Sequence, residues 1–134
     1  FGAFLSGLDG GLIYNSWPDM NGSFFPNDNS YSDLLSSQLF NNPSIIQFFH
    51  RVNAYALILL IVILNYLYIK NKLNIKNIIL FDIAILVQFF LGVVTLLSGA
   101  EIKYASLHQL GSIFVLTSYI VILYKNFKLP GRLN

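Results

Sequence analysis

Residues 45–69 have the sequence IIQFFHRVNAYALILLIVILNYLYI, which is long and apolar enough to cross a lipid bilayer. No charged residue follows Arg51 until Lys70, so 18 consecutive residues carry no charge. About 20 helical residues, each rising about 1.5 Å, cover a hydrocarbon core of about 30 Å. We therefore predict a transmembrane helix over this stretch.

Two further stretches, 78–98 and 104–124, have the same character. The first carries Asp82 near one end and Gln88 in its interior, and the second has no Asp, Glu, Lys or Arg. All three stretches are continuously apolar and do not alternate every second residue, which disfavours a membrane barrel. The sequence predicts an all-α membrane protein in which this chain is a transmembrane four-helix bundle forming one half of a larger protein, with residues 1–8 as the remnant of a truncated first helix.

The composition supports a membrane location and excludes several functions. Charged residues make up 10% of the 134-residue chain, whereas soluble domains have about 25%. The absence of cysteine excludes disulfides, thiolate metal sites, iron–sulfur clusters and cysteine nucleophiles. Basic residues lie at the ends of the apolar stretches, so no nucleic-acid partner is expected. The apolar start at Phe1 has no basic region typical of a signal peptide, and we expect the chain to be a piece of a longer protein.

Residues 9–44 form a polar connection rich in Asn, Ser, Gly and Pro. Three prolines in it prevent long helices. Within it, residues 31–40 place apolar side chains on one helical face, and Ser30 with Asp33 resembles a capping box. We predict a long outer loop that contains one short helix lying in the membrane interface.

The distribution of basic residues predicts the orientation in the membrane. Cytoplasmic loops carry an excess of Lys and Arg. The loop at 70–76 and the C-terminus are therefore predicted on the cytoplasmic or matrix side, and the loops at 9–44 and 99–103 on the outer side. The basic residues on the predicted inner side are Lys70, Lys72, Lys76, Lys125, Lys128 and Arg132, against Arg51 and Lys103 on the outer side.

His50 and His108 are the two histidines of the chain, and each lies just inside an apolar stretch. The two stretches run in the same direction, and both histidines lie roughly 6–8 Å below the outer boundary at about 1.5 Å per residue. An imidazole in hydrocarbon indicates a functional site. Two imidazoles at one depth predict the axial ligands of a haem iron, with His50 and His108 as metal ligands.

Neighbouring residues fit this hypothesis. Ala54, Gly111 and Ser112 leave space for a porphyrin, and Gly92 allows close helix packing. Arg51 at the outer rim suits a cofactor-binding role, as a partner of the haem propionates.

Each of these residues also has an ordinary structural interpretation. A lone histidine near a helix end can bond a neighbouring carbonyl, and Arg51 can extend to the lipid headgroups. Asp82 is interpreted as an interfacial residue, and Glu101 as a solvated one. Two histidines without nearby carboxylates supply too few ligands for structural zinc.

Several motifs together resemble the haem A synthase family. Residues 7–11 (GLDGG) and 15–20 (NSWPDM) resemble the outer loop, and residues 47–51 (QFFHR) resemble the first histidine helix of the C-terminal half. Residues 91–97 and 105–109 resemble the last two helices. The chain departs from the family pattern at Gly10, Ser16 and Asp19, where Ala, Thr and an apolar residue are usual. The resemblance also includes Gly22, Pro26, Ala54, Tyr55 and Gly99.

The resemblance implies an oxidoreductase of eight helices in two similar halves, located in the bacterial inner membrane or the mitochondrial inner membrane. Such enzymes oxidise the C8 methyl of haem O to the formyl group of haem A for cytochrome oxidase. In this mapping, His50 and His108 are the axial ligands of haem b, and the haem O substrate and a catalytic Glu belong to the missing N-terminal half. This fragment would then bind haem without catalysing. Membrane lipid, haem O synthase and a second copy of the chain are the other expected partners.

Two other classes of function remain open. One is a b-type cytochrome anchor that transfers electrons without chemistry on haem. The other is a transporter or structural subunit whose histidines carry protons. The Asn-x-Trp-Pro pattern of the outer loop favours the enzyme, because a simple carrier needs no such cover.

Overall fold

The computed structural model of the protein describes residues 1–37 and 39–126. This part of the chain contains α-helices and short 3₁₀ helices and no β-strand. Three of the α-helices are long and apolar enough to cross a membrane. The predicted all-α membrane fold is therefore confirmed. The α-helices are α1 (Gly2–Gly7), α2 (Pro43–Lys70), α3 (Ile79–Leu97) and α4 (Ile102–Asn126).

The long helices begin and end within a few residues of the predicted stretches 45–69, 78–98 and 104–124. Helix α2 begins two residues early, because Pro43 is well suited to a first turn and the Asn42 side chain caps it. The Asn42 Oδ1 atom accepts a hydrogen bond from the Ile45 amide at 3.2 Å. Two basic residues used for the orientation, Lys128 and Arg132, lie outside the described residues.

Helices α3 and α4 pack closely against one another, and α2 lies across a cavity from α4. Short helix α1 packs on the beginning of α2, where the rings of Phe1 and Phe49 stack at 5.4 Å. Many large apolar side chains of the three long helices are exposed, among them Leu60 and Ile113. An apolar surface of this extent on membrane-length helices is suited to lipid or to further helices.

The outer loop is folded onto the outer end of the bundle. Met20 of the loop is buried, as are Ile45 and Ile46 at the start of α2. Buried polar groups there, such as Gln47, are hydrogen-bonded to the loop backbone. Most of the large, fully buried side chains among the described residues therefore belong to the outer loop and the start of α2.

The short helix predicted over residues 31–40 is not a single α-helix. The structure has two 3₁₀ helices, Tyr31–Leu35 and Leu39–Asn41, and Gln38 between them lies outside the described residues. The extended backbone of Ser36 interrupts the helical path. The capping interaction is present, since Asp33 accepts a hydrogen bond from the Ser30 amide at 2.7 Å.

Candidate functional site

A cavity of about 390 Å³ lies between the helices, below the outer loop. His50 enters it from α2 and His108 from α4. The centres of the two imidazole rings are 6.2 Å apart, and the ring planes are nearly perpendicular at 89°. The structure therefore brings together the two histidines that were predicted to lie at the same depth in the membrane.

A glycine on α3 makes room for the His108 ring. A Cβ atom at Gly92 would lie 2.9 Å from the His108 Cε1 atom, which is too close for an undisturbed side chain. The ring thus rests directly on the α3 backbone, because Gly92 has no side chain. On the other side of the cavity, a Cβ at Gly2 would lie 3.7 Å from His50 Cε1, an ordinary contact distance.

The residues around the cavity fit a haem. With metal–nitrogen bonds of about 2 Å, two imidazoles on opposite sides of one iron have ring centres about 6 Å apart. The observed spacing of the His50 and His108 rings agrees with this value. The Nδ1 atom of His108 is buried and has no hydrogen-bond partner among the described residues.

A porphyrin would supply the ligands that the protein lacks. The described residues contain no group of three or more His, Cys, Asp or Glu side chains able to hold a metal ion. Haem iron needs no such group, because the macrocycle provides four nitrogens and the protein provides the axial positions. The facing pair of His50 and His108 is a suitable donor set for it.

Arg51 binds the outer loop. Its guanidinium donates to the backbone carbonyls of Ser16 and Asp19, both at 2.8 Å, and to that of Tyr14 at 2.9 Å. Arg51 is buried. Its Nε atom has no hydrogen-bond partner among the described residues, and Arg51 lines the cavity.

Further contacts fasten the loop over the cavity. Gln47, one turn before Arg51, donates to the same Tyr14 carbonyl at 2.8 Å. The Tyr55 hydroxyl donates to the Pro18 carbonyl at 3.1 Å. On the other side, Asn15 donates to the carbonyl of Leu96 at the end of α3. The loop is thus attached both to the helix that carries His50 and to its neighbour α3.

An ionised aspartate holds the loop at the start of α2. Asp28 accepts hydrogen bonds from the Tyr14 hydroxyl at 2.7 Å and from the Ser44 hydroxyl at 2.6 Å. Burial alone raises the pKa of the Asp28 carboxyl, but hydrogen bonds from Ser44, Tyr14 and Asn29 outweigh it and hold the pKa below its ordinary value. Burial and the bond to Asp28 raise the pKa of Tyr14.

The comparison with known families agrees with this architecture. The model of a family described as "Cytochrome oxidase assembly protein" matches residues 1–120. The chain belongs to this family of cytochrome oxidase assembly proteins. The match includes every residue that lines the cavity, and both histidines lie within it.

Similar proteins in this family are named haem A synthases. The chain is 70% identical to the haem A synthase of Pelagibacter ubique over 125 residues, which are 93% of this chain and 37% of that protein. It is 41% identical to the haem A synthase of Rickettsia bellii over 89% of this chain and 36% of that protein. The Wolbachia pipientis haem A synthase is 37% identical over 92% of this chain and 34% of its own length. The family assigned from the sequence motifs is therefore confirmed.

The chain spans little more than a third of the length of the relatives it matches. No solved structure matches it.

Of the other residues predicted to belong to the site, some line the cavity and others do not. Ala54 and Ser112 line the cavity, whereas Gly111 packs against the side chain of Gln88. Glu101 forms an exposed ion pair with Lys103 at 2.9 Å, as expected of a solvated residue.

Asp82, interpreted from the sequence as an interfacial residue, is hydrogen-bonded to α2. Its Oδ2 atom accepts a hydrogen bond from Asn65 of α2 at 3.0 Å, and its Oδ1 atom is buried without a partner among the described residues. The pair joins α2 to α3 at the end of the bundle opposite the outer loop. Asp82 does not line the cavity described above.

Two glutamines at the cavity, Gln47 and Gln88, were not predicted from the sequence as site residues. Both lie within apolar stretches, where an amide side chain needs a partner. That feature was visible in the sequence, but the partners are backbone carbonyls of distant residues, Tyr14 and His108. Such partners leave no pattern in the sequence.

Proposed function

We propose that this chain binds one haem b between His50 and His108 and forms the C-terminal half of a haem A synthase. The complete enzyme would oxidise the C8 methyl of haem O to the formyl group of haem A. The observation that carries the proposal is the pair of facing imidazoles, 6.2 Å apart, in a cavity beneath a folded outer loop. Membership of the cytochrome oxidase assembly family and the names of the relatives support it.

Each part of the site has a physical role in this proposal. His50 and His108 would hold the haem iron through their imidazole nitrogens, and Gly92 leaves room for the His108 ring against α3. The loop residue Trp17 lines the cavity and packs against Phe89 of α3, which limits the access of water from the outer side. A bound haem b supplies one-electron transfer at this position.

The substrate site belongs to the remainder of the protein in this proposal. The chain corresponds to about a third of its relatives, and no Asp or Glu lines the described cavity. We therefore assign haem O and the catalytic carboxylate to residues outside this chain. The fragment alone would bind haem without converting it.

The proposed location is a bacterial inner membrane, since the relatives named above come from bacteria. The excess of lysines in the α2–α3 connection supports a cytoplasmic position for that connection. The outer loop and the candidate haem site would then lie near the opposite face.

The second candidate is a b-type cytochrome anchor that transfers electrons without chemistry on haem. The absence of a carboxylate around the described cavity favours this role for the chain itself. The two functions differ in the product: the enzyme makes haem A, and the carrier does not.

Pigment extraction tests the proposal. The complete gene is expressed in cells that make haem O but no haem A, and the haems are identified by chromatography. We expect haem A with the wild-type protein, haem O alone with His50→Ala or His108→Ala, and haem A again with the exposed control Gln109→Ala. A wild-type protein that shows b-type absorption but yields no haem A would favour the carrier, and one that binds no haem would contradict both.

A further inference from the structure

Helices α3 and α4 each place one polar side chain against a glycine of the other helix, at the wall of the cavity. His108 of α4 lies on Gly92 of α3. Gln88, one turn before Gly92 on α3, lies in turn on Gly111 of α4, where a Cβ atom would overlap the Gln88 Oε1 atom. The two contacts are reciprocal and adjacent.

A hydrogen bond connects the two halves of this arrangement. The Gln88 Nε2 atom donates to the backbone carbonyl of His108 at 2.7 Å. The same glutamine therefore holds the backbone of the residue whose ring lies on Gly92.

We propose that Gln88 is a positioning residue for His108, and that the Gln88–Gly111 contact sets the height and orientation of the His108 ring in the cavity. Gly111 contributes to this positioning, because the absence of a side chain there lets the Gln88 amide reach the His108 carbonyl. A group that holds a ligating histidine affects both metal affinity and the electronic state of the metal. The inference rests on the proposed haem site.

The reach and chemistry of the side chain explain why glutamine occupies this position. Asparagine is one methylene shorter, and glutamate has no N–H donor for a carbonyl. Methionine has nearly the same length and volume without a donor. Gln88→Met therefore removes the hydrogen bond to His108 and retains most of the packing.

The test uses the full-length protein carrying haem. Haem content, the reduction potential of the b-type haem and its ferric electron paramagnetic resonance spectrum are measured for the wild type, Gln88→Met and the matched control Gln109→Met, whose side chain is exposed on α4. We expect Gln88→Met to shift the potential and the spectrum and to lower haem affinity roughly 10- to 100-fold, and Gln109→Met to change neither. A Gln88→Met protein with wild-type potential, spectrum and affinity would overturn the inference and leave the haem proposal standing.

A second comparison covers the case in which Gln88→Met binds no haem. Gly111→Ala places a methyl group where the Gln88 amide lies, whereas Gln88→Ala/Gly111→Ala removes that conflict. The Gln88–Gly111 contact predicts that the double variant retains more haem than Gly111→Ala. A double variant with equal or less haem would count against it. A wild-type protein without haem would refute the haem proposal and this inference with it.

Discussion

The Arg51 guanidinium donates a hydrogen bond to the backbone carbonyl of Tyr14, 37 residues earlier in the chain, at 2.9 Å. The Tyr14 hydroxyl donates to Asp28. Tyr14 therefore connects Arg51 of α2 to a second position in the outer loop. His50 precedes Arg51 directly, which couples the folding of the loop to the helix that carries the candidate ligand.

Replacing Arg51 should release the loop. In Arg51→Leu the carbonyls of Tyr14, Ser16 and Asp19 lose their charged donor, and we expect the free energy of loop opening to fall by roughly 2–5 kcal/mol. Hydrogen exchange of the loop amides measures this directly. The control Lys103→Leu also removes one positive charge, but from an exposed surface pair, and should change exchange little. Wild-type protection in Arg51→Leu would show that the loop is held by other contacts.

Adding one methyl group at Gly92 should displace the His108 ring. Gly92→Ala places a Cβ atom 2.9 Å from His108 Cε1, and the ring end can move more readily than the helix backbone. We expect haem affinity to fall roughly 10- to 100-fold, with little loss of helix content because alanine favours helix. Titration of the full-length apoprotein with haem measures the change.

The control for this substitution is Gly7→Ala. A Cβ at Gly7 has no neighbour within 4 Å, so haem affinity should be unchanged. Equal losses of affinity in the two variants would indicate a general effect of glycine replacement. They would contradict a specific contact between Gly92 and His108.

The Asp28 interaction should make the attachment of the loop depend on pH. Folding lowers the pKa of Asp28, so the ionised carboxylate stabilises the attached loop. This stabilisation is complete at a pH above the pKa of Asp28 in the unfolded chain, which is about 4. The stabilisation is lost as the pH falls through the lower pKa that Asp28 has in the folded protein. We expect loop amides to exchange faster, relative to amides of α3, as the pH drops below about 4, and Asp28→Asn to reduce this dependence. A wild-type loop whose relative protection stays constant at acidic pH would contradict the assignment.

The pairing of the histidines could be predicted because it follows from helix geometry. His50 and His108 lie a similar number of residues inside two stretches that run in the same direction, and a regular rise per residue converts that into equal depth. The structure places their rings 6.2 Å apart. Their role as haem ligands stays a prediction.

The contacts that hold the site could not be predicted in the same way. Arg51, Gln47 and Gln88 all bind backbone carbonyls, and any residue can supply a carbonyl. Which carbonyl is near depends on the path of the outer loop and on the spacing of α3 and α4. The prediction of a single helix over residues 31–40 was wrong for a related reason. The spacing of apolar residues does not show that the backbone becomes extended at Ser36.

The content of b-type haem in the purified full-length protein tests the central claim most directly. Wild type, His50→Ala and His108→Ala are compared by reduced-minus-oxidised absorption and by haem per polypeptide, with Gln109→Ala as control. If the two imidazoles hold one haem, each histidine variant loses most of this b-type haem and the control retains it. If both histidine variants retain wild-type b-type haem, His50 and His108 are not the ligands.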